Sequence, residues 1–147
     1  MENLRDLYQQ LILDHNKNPR NFRVMNDASI EADGYNPLCG DKFHLYIRFE
    51  GDSISDISFI GSGCAISKAS ASIMTDEIKG KSIEEVVRLF TSFRHMITTG
   101  ETASDDIGKL EVLTGVHKYP SRVKCALLAW HTMKNILDSN QTITSTE

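Results

Sequence analysis

The chain has 147 residues, a net charge of −4, and an unexceptional balance of 40% hydrophobic and 24% charged residues. The acidic balance, with no basic stripe interleaved with aromatics, speaks against a nucleic-acid protein. The longest unbroken apolar run, Cys125 to Trp130, is far too short for a membrane span or a signal-peptide core.

Such a chain reads as one domain over residues 1–147, large enough to bury about two-thirds of the surface its unfolded form exposes. The expected compartment is the cytoplasm, where thiols stay reduced. It holds three well-separated cysteines. That small, odd set is compatible with metal binding, with sulfur chemistry, or with thiols acting as small buried hydrophobes.

Residues 3–16 predict an amphipathic helix, with Leu4, Leu7, Tyr8, Leu11 and Ile12 at helical spacing. The polar run Asn16 to Asn21, with Pro19 as breaker, ends it. Residues 22–27 read as loop, and Ser29 to Tyr35 as a weakly marked strand. Next comes Asn36-Pro37-Leu38-Cys39-Gly40-Asp41. Pro37 biases Asn36 away from helix and Gly40 leaves the backbone unhindered, so the segment is expected to be extended. In extended chain, residues two apart share a face, which lets Cys39 and Asp41 converge.

A clear alternation follows. Phe43, Leu45, Ile47 and Phe49 face one way and Lys42, His44, Tyr46 and Arg48 the other. Glu50 to Ser53 is turn chemistry, and Ile54 to Ile60 supplies the return strand of a β-hairpin. Asp41 shares parity with the apolar face, an odd place for an unpaired carboxylate.

Gly61-Ser62-Gly63-Cys64 closes that strand and opens a helix to about Ile78, rich in Ala and Ser for close packing and stopped by Gly80. Ser82 to Glu85 is a capping box for a helix with Ile83, Val86, Val87, Phe90 and Phe93 as its buried stripe. Thr98 to Lys118 reads as a mostly irregular insert, with a helical turn possible around 107–113. The last helix runs from near Pro120 to about Asp138, packing through Val123, Ala126, Leu127, Trp130 and Leu137. From about residue 140 the tail is polar and expected to fray. Antiparallel strands followed by helices make an α+β domain, with about three strands covered on one face by helices.

Cys64 falls at one helix start and Cys125 within the first two turns of another, positions that favour thiolate. With Cys39 and Asp41 they make a set of three sulfurs and one oxygen. That set suits tetrahedral zinc and also suits a [2Fe–2S] cluster. The plainer alternative has Cys64 and Cys125 as buried helix residues and Asp41 as a turn residue. None of His44, His95, His117 and His131 is placed to join them. His131, six positions beyond Cys125, points about 240° away round a helix.

Taken together, these stretches resemble the IscU/NifU-N family of iron–sulfur cluster assembly proteins. The resemblance runs from about Leu4 to Leu137 and is carried by four stretches in order: Asp14 to Asn21, Asn36 to Asp41, Gly61 to Ser67, and Val123-Lys124-Cys125. Within the family the chain is most similar to the SufU branch. The scaffold members carry a Leu-Pro-Pro-Val-Lys motif and a His-Cys pair near the last cysteine. Here Tyr119-Pro120-Ser121-Arg122-Val123 precedes Lys124, which takes the histidine's place.

The resemblance implies a SufE/NifU-like fold and zinc held by Cys39, Asp41, Cys64 and Cys125. It implies sulfur taken from a SufS-type cysteine desulfurase, with downstream iron–sulfur scaffold proteins as further partners. Cys39, in a Gly-flanked loop, is the ligand expected to be released, a histidine of the desulfurase replacing it, and to attack the persulfide. Arg122 and Lys124 are expected to bind the partner or orient the site, or to be an exposed basic pair. The alternative is a scaffold on which a [2Fe–2S] cluster is assembled and handed on.

Overall fold

The computed structural model describes residues 4–101, 107–139 and 143–145. Four α-helices, a 3₁₀ segment and a four-stranded sheet follow one another. They are α1 (Leu4–Lys17), β1 (Ile30–Asn36), β2 (Asp41–Glu50), β3 (Ser53–Ser62), α2 (Ala65–Ile78), α3 (Ile83–Thr99), the 3₁₀ segment Gly108–Lys118, α4 (Pro120–Ser139) and β4 (Ile143–Ser145). The α+β expectation holds, with three antiparallel strands. A short fourth strand, β4, lies parallel to β1 and gives the order β3-β2-β1-β4. The tail was expected to fray, yet Thr144 is buried and its hydroxyl accepts from Asn135 Nδ2 at 2.9 Å. The rest of that tail, and part of the insert from Thr98, lie outside the described residues.

The β2–β3 hairpin follows the predicted parity. Phe43, Leu45 and Ile47 are buried, and a register shift between Arg48 and Phe49 leaves Phe49 only half-buried. Helices cover this apolar face. α4 approaches β1 so closely that a Cβ built on Gly34 would lie 2.2 Å from Thr132 Oγ1. Every residue from Cys125 to Trp130 is buried. The sheet lies on one side of α4, and α2, α3 and the 3₁₀ segment lie on the others. A one-sided stripe therefore understated its contacts. Likewise the 98–118 insert is not mostly irregular: the 3₁₀ segment buries Leu110, Val112, Leu113 and Val116.

The serines of α2 tie helices together. Ser70 Oγ donates to the Ala126 carbonyl at 2.6 Å and accepts from Trp130 Nε1 at 3.2 Å. Ser72 Oγ accepts the Arg20 backbone N–H at 2.8 Å and meets His15 Nδ1 at 2.7 Å. Arg20 in turn pairs with Asp14 at 2.6 Å, and Asn21 Nδ2 donates to Thr75 Oγ1 at 3.0 Å. The Asp14–Asn21 stretch is thus a buckle fastening α1 to α2, more than a helix stop. Burial of the His15 ring, then the Arg20 charge, push its pKa down. On α1, Tyr8 and Ile12 are half-buried, while Leu7 and Leu11 of the predicted stripe remain 45% and 38% exposed. The capping box of α3 is present as predicted; Ile83 and Val87 are half-exposed and Leu89 and Met96 share the burial instead. Among the described residues, no helix is long and apolar enough to cross a membrane.

The Gly34–Thr132 contact yields a test. Gly34→Ala is expected to lower stability by about 1–3 kcal/mol, the usual cost of overpacking. Adding Thr132→Ala should recover part of that loss, as measured by urea unfolding.

Candidate metal and sulfur site

β1 and β2 are joined by the four residues Pro37 to Gly40. Asn36 and Asp41 face each other at the neck, and the Cys39 N–H donates to the Asn36 carbonyl at 3.3 Å. The expected extended segment is instead a tight turn, closed by the fixed φ of Pro37 and a left-handed Gly40 at φ +71°. The convergence of Cys39 and Asp41 holds, but the turn produces it. Cys39 is half-buried at the tip and Leu38 beside it is 71% exposed.

Asp41 points inward and is 2% exposed. Its Oδ1 accepts the Cys64 backbone N–H at 2.9 Å, so the carboxylate joins the turn to the start of α2. Helix starts leave N–H groups unpaired and carry partial positive charge, which makes this a favourable seat for a buried anion. The approach depends on Gly63: a Cβ there would stand 2.8 Å from Asp41 Oδ1 and 2.5 Å from Ser67 Oγ.

Cys64 is the N-cap of α2, its Sγ accepting the Ser67 N–H at 3.4 Å. Cys125, on the second turn of α4, is buried. Its thiol lies 3.1 Å from Cys39 Sγ and 3.6 Å from the Ser121 carbonyl. Cys39, Asp41 and Cys125 bring one ligand atom each to within 4.8 Å of one another. Of the four expected ligands, Cys64 alone is not in this group; its sulfur is turned to its own helix. Burial pushes the Cys125 thiol far up. The neighbouring Cys39 and Asp41 add to this through hydrogen bonds, and the charges of Cys64 and Asp41 through repulsion.

The two basic candidates separate. The exposed Arg122 turns its guanidinium to the thiols of Cys125 and Cys64, and hydrogen bonding to Cys125, then the charge of Cys64, hold its proton more firmly than usual. Lys124 is exposed, and no hydrogen bond or ion pair joins it to the cluster among the described residues. No described histidine enters the group either. His44 sits on the opposite sheet face between Asp33 and Glu31, at 2.7 and 2.8 Å. Burial works against its charging, but those two carboxylates outweigh it and raise its pKa. His131 packs against the Phe90 ring. His95 is exposed, and His117 is half-buried beside Gly100.

Sequence reasoning passed over Asn36. It is fully buried, with Nδ2 at 3.5 Å from both Asp41 Oδ2 and Cys125 Sγ. The signal was its parity: it faces inward with Ala32 and Gly34, one residue beyond where the strand was expected to end.

Exposure and thiol acidity together predict an order of alkylation. In metal-free protein near neutral pH, iodoacetamide should modify the half-exposed Cys39 and Cys64 first. Cys125, buried and kept protonated, should react at least about tenfold more slowly, since only the thiolate is nucleophilic. Mass-spectrometric mapping of time points reads this directly.

Residues 7–126 match the family model described as the NifU-like N terminal domain. The zinc-dependent sulfurtransferase SufU of Bacillus subtilis is 48% identical over 133 residues, covering 90% of this chain and 90% of that protein. The iron–sulfur cluster assembly scaffold protein IscU of Streptococcus pyogenes is 40% identical, covering 93% and 86%. Among solved structures, a SUF-system iron–sulfur cluster assembly scaffold protein from Fervidobacterium islandicum superposes with a TM-score of 0.81 at 34% identity, covering 90% and 97%. By sequence and by fold, the chain belongs to the NifU-like N-terminal domain family, which holds the IscU and SufU proteins.

Proposed function

We propose that this protein serves iron–sulfur cluster assembly as a zinc-holding sulfur acceptor, taking persulfide sulfur on Cys39 from a SufS-type cysteine desulfurase. One observation carries the reading: two thiols and a carboxylate from a turn, a strand start and a helix meet within 4.8 Å. The donor set fits zinc, which takes thiolate and carboxylate together in tetrahedral sites. Cys39, Asp41 and Cys125 would hold the ion, with Cys64 at the adjacent helix start as the fourth ligand. Bound there, zinc would keep the thiols deprotonated and tie the turn to both helices.

The chemistry falls to Cys39 because of where it sits. Cys125 is buried within α4 and Cys64 caps α2, whereas Cys39 lies half-buried on a turn of four residues. As thiolate it attacks the outer sulfur of the desulfurase persulfide. A new S–S bond forms at Cys39, the donor's S–S bond breaks, and the donor cysteine leaves as thiolate. The proton of the persulfide stays on the transferred sulfur, so the exchange needs no outside oxidant or reductant. Arg122 faces the remaining two thiols with positive charge.

The second reading, a scaffold on which a [2Fe–2S] cluster is built, is favoured by the name of the relative from Streptococcus pyogenes. Against it stands the absence of any described histidine from the ligand group, and the exposed Lys124 beside Cys125.

Anaerobically purified protein is expected to carry one zinc per chain and to stimulate cysteine turnover by a desulfurase. Iron with acid-labile sulfide would favour the scaffold. Cys39→Ser should abolish sulfur acceptance, read as the mass of the persulfidated chain after incubation with desulfurase and cysteine. Acceptance at the wild-type rate would sink the assignment of Cys39.

A further inference from the structure

Asn36 ends β1 directly across from Asp41, and the following proline holds it in extended conformation. Its side chain is fully buried. Nδ2 lies 3.5 Å from Asp41 Oδ2 and 3.5 Å from Cys125 Sγ, while Oδ1 has no hydrogen-bond partner among the described residues. Leaving a buried polar atom unpaired is destabilising, and an apolar side chain of the same shape would fill the space without that cost. Packing therefore does not account for an amide here.

What the amide supplies is two N–H bonds on one nitrogen, enough for one toward the carboxylate and one toward the thiol. With the amide turned over, Oδ1 would meet the Asp41 carboxylate, acceptor against acceptor, so the nitrogen belongs on this side. Both acceptors are anions when they ligate a metal, and hydrogen bonds to charged acceptors are shorter and stronger than to neutral ones.

We propose that Asn36 is a positioning residue of the cluster, orienting Asp41 and Cys125 toward a shared divalent metal ion that it does not itself touch. The proposal rests on the metal-centre reading above. Groups that hold ligands in place in this way commonly change metal affinity by about 10- to 100-fold when removed.

The test uses the full chain and zinc. Affinity is measured by competition with a chromophoric chelator for wild type, Asn36→Leu and Asn36→Ala, with circular dichroism recording that each variant is folded. Both variants should bind zinc about 10- to 100-fold more weakly while keeping their helix content. A second measurement needs no variant and decides the matter if neither folds. In wild-type protein loaded with an NMR-active cadmium isotope, the Asn36 side-chain protons should show scalar coupling to the metal across the bond to Cys125. Folded variants that bind zinc as tightly as wild type, or a cadmium-loaded protein without that coupling, overturn the role of Asn36 and leave the metal centre standing. Wild-type protein that holds neither metal overturns the metal centre itself, and this proposal with it.

Discussion

The hydrogen bond from the Cys64 backbone N–H to Asp41 is the interaction on which the arrangement of the site turns. It links the first residue of β2 to the cap of α2, two points 23 positions apart in the chain. A carboxylate 2% exposed to solvent is costly unless it is well paired. Asp41 is paired twice, by the helix start and by the Asn36 amide. The turn carrying Cys39 and the helix carrying Cys64 therefore have little freedom to move independently. Gly63 is part of the same constraint, since any side chain there would collide with the carboxylate and with Ser67.

The third wall of the site comes from α4. This helix has to thread between the sheet and three helical neighbours, and small groups let it do so: Gly34 under Thr132 and Ser70 under Ala126. The Ser70 bond reaches the carbonyl of the residue immediately after Cys125, so the depth of that cysteine is set by the α2–α4 packing. Fixing the site thus draws on the whole core. The Asp14–Asn21 buckle belongs to the same frame, holding the outer helix to α2 through Ser72 and Thr75. That explains its place among the stretches that carry the family resemblance without requiring it to touch the site.

Much of this was legible in the order of residues because local rules governed it. The alternation from Lys42 to Ile47, the Ser82–Glu85 capping box and the Gly-Cys junction at residue 64 each report a local geometry, and each is present. What was not legible depended on distant partners. Leu7 and Leu11 have helical spacing, but the neighbours of α1 cover only part of its apolar face. The 3₁₀ segment is ordered by burial of Leu110 and Leu113 rather than by its own propensity. β4 exists because the β1 edge offers it a partner. At the site, three of the four predicted ligands meet. Cys64 does not: its sulfur accepts the Ser67 N–H of its own helix.

How each cysteine is held decides which of them can do chemistry. A group held from several sides makes a good anchor, and a group held from one side can reach another molecule. Cys125 is enclosed by α4, by Asn36 and by Cys39 itself, and burial keeps its proton in place. Cys64 is fixed through its own backbone to Asp41 and through its sulfur to α2. Cys39 is restrained at its backbone by the turn and at its sulfur by the contact with Cys125, and beyond it lies Leu38, open to solvent. Left-handed Gly40 allows that turn to close tightly enough for the sulfur to point inward, while the loop keeps its outer edge accessible. The asymmetry is mechanical before it is chemical. Two cysteines and Asp41 are built into the frame, and the remaining cysteine sits half-buried at the tip of a turn whose outer edge is open to solvent.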